Sequence, residues 1–155
     1  MKKLTKLTAL ALVAVMLLLA FVACGGKKEA VTADAFKTAA EAAGMTVEAG
    51  NEGDDSQYTS MMAKHPDGWT VQFLQFDTLA HAQEYFPVIK KFIEDQKTGT
   101  GRSQTTSNDS YAFYSQTNGG MFAYTSRIGD TFIYVAPAAE AYKDAIQAFI
   151  NSIGY

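Results

Sequence analysis

Residues 9–23 are apolar at every position, a run with no polar face and therefore no helical or strand period. Beyond it the pattern breaks into short periodic blocks. In residues 33–43, Phe36, Ala39, Ala40 and Ala43 share one helical stripe. Thr32 is placed to cap that helix, Asp34 falls in its first turn, Val31 can pack on Phe36, and Gly44 stops it. Residues 45–49 read as a short strand. Residues 58–64 and 69–76 flank His65-Pro66-Asp67-Gly68 and read as a hairpin, with Thr59, Thr70 and Gln72 on a wet outer face.

From Leu79 the period returns to helical. Leu79, Ala82, Phe86, Ile89 and Ile93 hold one face through Pro87, which predicts one kinked helix over 78–96, capped by Asp77, with a break at Pro87 as the alternative. Residues 97–109 are rich in Gly, Ser, Thr and Asn and read as the longest loop. Three strands follow at 111–117, 121–128 and 131–136, joined by two-residue turns at Asn118-Gly119 and Gly129-Asp130. Pro137 then opens a last helix, with Tyr142, Ile146, Phe149 and Ile153 at helical spacing and Gly154 after them. The order predicts a single α+β domain over 32–155, with an antiparallel sheet of five to six strands and helices mainly on one face. A hairpin followed by a helix occurs twice, a weak hint of duplication.

Two-residue turns fix register, so the faces of the last three strands can be written down. Tyr111, Phe113, Phe122, Tyr124, Ile128, Ile133 and Val135 share the core face. The other face collects Tyr114, Met121, Thr125, Arg127, Phe132 and Tyr134. A face open to water should be more polar than that. Tyr114, Met121, Arg127, Phe132 and Tyr134 are therefore the candidate binding patch, for a small ligand or a protein partner, unless a helix or the long loop of the same domain covers them.

The N-terminal run changes the picture most. Lys2, Lys3 and Lys6 precede the apolar stretch and Cys24 follows it directly. The segment Phe21-Val22-Ala23-Cys24 resembles the lipobox of bacterial lipoproteins. The resemblance implies removal of residues 1–23 as a signal peptide, diacylglycerol and fatty acyl chains such as palmitate on Cys24, and a place outside the cytoplasm on a membrane. Residues 24–31 would then be a tether, with Lys27 and Lys28 read as part of a solvated linker and contact with lipid headgroups as the alternative. An uncleaved anchor is the alternative, since residues 7–23 are interrupted only by Thr8 and come close to a spanning length. Cys24 is the sole cysteine, so no disulfide can form within one molecule. In its plan of lipobox, tether and compact domain the chain is similar to small Gram-positive cell-surface lipoproteins of unassigned activity.

Without Lys2, Lys3 and Lys6, 10 basic side chains face 16 acidic ones, a net charge of −6. Arg102 and Arg127 are the only arginines, which argues against nucleic acid as a partner. Catalytic motifs are missing. His65 and His81 have no neighbours at metal-ligand or triad spacing, and Lys97-Thr98-Gly99 lacks the nucleophile motif that would give it meaning. Asn51, Glu52, Asp54 and Asp55 lack the order of a calcium loop. The expectation is a non-enzymatic binding or structural module of the cell envelope, with no cofactor and no metal. Its alternatives are an accessory or inhibitor subunit of another envelope protein, and an enzyme whose site the sequence hides.

Overall fold

The computed structural model describes residues 28–50, 57–97 and 101–155. In chain order the elements are α1 (Ala33–Ala42), β1 (Thr46–Ala49), β2 (Tyr58–Lys64), β3 (Thr70–Phe76), α2 (Leu79–Asp95), β4 (Gly101–Ser107), β5 (Tyr111–Asn118), β6 (Met121–Ile128), β7 (Thr131–Ala139), a 3₁₀ turn (Glu140–Tyr142) and α3 (Lys143–Ser152). One antiparallel sheet holds the seven strands in the order β1-β2-β3-β7-β6-β5-β4. Two meanders thus meet at β3 and β7, where Val71 lies opposite Val135.

Local chemistry explains the boundaries. Thr32 Oγ1 accepts from the Ala35 amide at 3.2 Å and caps α1. At the other end Gly44, at φ 78°, lets Met45 N–H reach Ala40 O and Gly44 N–H reach Glu41 O, a Schellman closure. Thr78, not Asp77, caps α2, its hydroxyl accepting from the His81 amide at 3.2 Å. Asp77 instead meets His81 Nδ1 at 2.6 Å. The helix runs unbroken through Pro87.

Beyond the cap of α2, four more expectations need correction. The segment read as the longest loop holds strand β4, paired with β5 from Gly101↔Asn118 to Ser107↔Ala112. All its side chains are exposed, so it shows no apolar alternation to read. The turn between β5 and β6 is Gly119-Gly120, with φ 58° and 77°, one residue beyond the expected place. Two glycines meet the positive φ that such a turn needs at both central positions. Pro137 lies inside β7 and does not open a helix. There β7 has outrun the β3 pairing and passes a register shift opposite Phe122/Tyr124, so a missing N–H costs little. Finally, Thr59 lies opposite Gln75, on the sheet face away from Gln72.

Both faces of the sheet are covered. On one, Phe36 and Ala40 of α1 and Ile146, Phe149 and Ile150 of α3 pack with Val71, Phe73, Ile133 and Val135. On the other, Ala82, Phe86 and Ile93 of α2 pack with Leu74, Tyr114 and Phe132. Two helices therefore share one face and the third takes the other. A two-fold axis exchanging neighbouring antiparallel strands β3 and β7 would stand perpendicular to the sheet and keep α2 and α3 on one side. They lie on opposite sides, so the repeated hairpin-then-helix order is not a structural repeat about the sheet centre.

The strands give the molecule two ends. At the entry end residues 28–31 meet the sheet beside the 108–110 turn and Gly129-Asp130. At the far end lie the His65–Gly68 loop, Gly119-Gly120 and the 3₁₀ turn. No helix among the described residues is long and apolar enough to cross a membrane.

Candidate functional site

The five residues of the candidate patch do not form one open surface. Phe132 is buried at the centre of an aromatic cluster, with ring centroids 5.4 Å from Tyr85, 6.3 Å from Phe86 and 6.4 Å from Phe76. Tyr114 is buried too, its hydroxyl donating to Gln116 Oε1 at 2.9 Å. Gln116 Nε2 in turn donates to Ile93 O, tying β5 to α2. Tyr134 is half-buried, 6.5 Å from the Phe92 ring, and desolvation raises its phenol pKa. Met121, 42% exposed, stands apart at the far end.

Arg127 is 2% exposed. Its guanidinium donates to Gly129 O at 3.1 Å and to Asn108 O at 2.8 Å, clamping two turns at the entry end. Burial lowers its pKa, against the opposing field of Asp109. A side chain so used is a brace and not a ligand hook.

The histidines occupy opposite ends. His81 belongs to the start of α2, where its hydrogen bond holds the Asp77 carboxyl below its ordinary pKa. His65 stacks on Trp69, rings 4.5 Å apart and 12° from parallel, and its Nδ1 accepts from the Asp67 amide. Among the described residues no group of three His, Cys, Asp or Glu side chains is placed to hold a metal. The acidic stretch at 51–55, and Cys24, lie outside the described residues.

Two features escaped the sequence reading. At the far end a shallow cleft of about 280 Å³ is lined by Asp67, Trp69, Met121, Pro137 and Tyr142 among others. A second hollow of about 320 Å³ lies across Trp69, bounded by His65, Ala145 and Phe149. Each is at the small limit for ligand pockets. The Trp69 indole N–H is buried with no hydrogen-bond partner, so it offers a ligand nothing unless the ring turns. The second feature is on α2, where Val88 is 60% and Phe92 52% exposed, one turn apart on the flank beside Tyr134. Their spacing is legible in the sequence as a second apolar stripe. Only the position of the sheet shows that it is left open.

No known family model, curated protein or solved structure matches the chain. The fold is a single α+β domain on a seven-stranded antiparallel sheet, and the chemistry of its surface has to be read from its own residues.

Proposed function

We propose that this chain is a membrane-anchored extracytoplasmic lipoprotein, lipidated on Cys24 after loss of residues 1–23, whose domain is a non-enzymatic binding or structural module of the cell envelope. One observation carries the reading: a basic stretch, an unbroken apolar run and Ala23-Cys24 stand in that order, and Gly25, Gly26 and Lys27 separate Cys24 from Lys28, the first described residue. Two or three acyl chains, at about 0.8 kcal/mol per buried methylene, hold such a protein on a bilayer. Mass spectrometry of the membrane-extracted protein tests this. The expected N-terminus is diacylglyceryl-Cys24, and Cys24→Ser should leave an unprocessed chain; an unmodified Cys24 in the wild type would sink the proposal.

A second reading has its own support. The open Val88 and Phe92 flank suits a protein contact, which favours an accessory or inhibitor subunit of another envelope protein. In detergent extracts, chemical cross-linking should then capture one partner with the wild type and lose it with Val88→Lys. Stabilisation of the domain by a small molecule, unaffected by Val88→Lys, would favour a ligand-binding module instead.

A further inference from the structure

Lys28, Ala30 and Val31, which precede α1, touch the domain. Lys28 Nζ sits 4.4 Å above the Tyr111 ring centroid and 3.4 Å from its hydroxyl. Burial there lowers the lysine pKa. Ala30 lies against Gly129, where a built Cβ would stand 3.8 Å from the Ala30 Cβ. Val31 and Ala33 pack on the α1–α3 core. All these contacts are at the entry end.

We propose that residues 28–31 act as a strap that holds the entry end of the sheet against the bilayer and turns the Trp69 cleft outward. The inference rests on Cys24 being the lipid-bearing residue. With Lys28 fixed to Tyr111, four residue steps join it to Cys24, a reach of at most about 14 Å even when extended. Without the docking, eight steps to Thr32 would allow about 28 Å and free tumbling. The far end stands away by the length of β6, about 25 Å for its eight residues. Geometry, not charge, sets the orientation: among the described residues the turns of this end carry the carboxylates of Asp109 and Asp130 as well as the nearby Lys28, so they form no uniformly basic patch for anionic headgroups. The bilayer is the occupant of this end because the chain between lipid and strap is too short to present another.

The test uses the full lipoprotein in phosphatidylcholine vesicles containing headgroup-nitroxide lipid. Asp109→Cys at the entry end and Asp67→Cys at the far end, both exposed, each carry one thiol-reactive fluorophore. Mass spectrometry of each labelled chain separates the two proposals: an N-terminus at diacylglyceryl-Cys24 means that the anchor reading holds, and a Met1 terminus or an unmodified Cys24 means that it has failed. With the anchor in place, quenching should be at least about twofold stronger at position 109 than at 67, given their separation by the strand length. It should also not change with added salt. Equal or reversed quenching overturns the orientation while leaving the anchor intact. Inserting eight Gly/Ser residues between Gly26 and Lys27 keeps the domain and strap whole and should erase the difference. A difference that survives the insertion overturns the strap mechanism.

Discussion

Arg127 shares a strand face with Tyr114, Phe132 and Tyr134, and its donors reach two backbone carbonyls across the entry-end turns. Replacing it with Met removes charge-assisted hydrogen bonds and leaves Gly129 O and Asn108 O to other partners. Arg127→Met should therefore destabilise the domain by about 2–4 kcal/mol. Urea denaturation with an unchanged m value would show it; a loss under about 0.5 kcal/mol would mean that water replaces the guanidinium without penalty. Asp77 supplies the pH counterpart. Its carboxyl is held below the ordinary value chiefly by the hydrogen bond to His81. A depressed carboxylate pKa contributes stability above the unfolded value near 4 that is lost as pH falls through the folded one. NMR titration should place the Asp77 midpoint below that of a free aspartate, and His81→Ala should raise it; no movement would assign the shift to other neighbours. At this scale residue type was legible and exposure was not. An arginine among aromatics reads as a binding patch until a helix is laid over it, whereas Trp69, unremarked beside a turn, lines the far-end cleft.

Elements were legible where an apolar period marks them and obscure where pairing alone makes them. The helical stripe of α2 and the alternation of β5, β6 and β7 are visible because each has a buried face. Strand β4 has none, and its Ser/Thr/Gln composition looks like a loop. Its partner supplies the structure instead: Asn108 Oδ1 accepts from the Ser110 and Tyr111 amides and turns the chain back along β5. Pro87 gives the element-scale prediction. It is exposed and sits in mid-helix, where it lacks the N–H for a bond to the preceding turn while α2 continues through it. The burial of Ala82, Phe86 and Ile93 holds the two halves in line. Pro87→Ala should then stabilise the domain by about 1–3 kcal/mol, because the packing stays and the missing hydrogen bond returns. A neutral or destabilising result in chemical denaturation would show that the helix is shaped around the proline.

At the scale of the molecule, the amphipathic stripes disclosed that there are helices but not which side of the sheet each covers. An apolar stripe fits either face, and the aromatic outer face of β5–β7 was the one sign that α2 would lie opposite α1 and α3. That arrangement puts tyrosines in both layers. Tyr85, from α2, and Tyr134, from the sheet, lie in the layer between them, while Tyr111, Tyr124 and Tyr155 lie on the other side, and burial raises the phenol pKa of all five. Tyr155 is further held by a hydrogen bond between its hydroxyl and that of Thr131. In the unfolded chain these phenols ionise near pH 10, and in the folded one later, so above pH 10 the unfolded state sheds protons first. Stability that is whole below that pH must decline as pH rises toward the folded values. Because the two layers share one sheet, ionisation on either side should open both. Phenolate absorbance followed against pH should show an early fraction that titrates reversibly, then a late cooperative rise coincident with loss of near-ultraviolet circular dichroism. Two separate late steps would mean that the layer under α2 and the layer under α1 and α3 unfold independently. All eight tyrosines titrating together near pH 10 in the folded protein would contradict the burial of both layers.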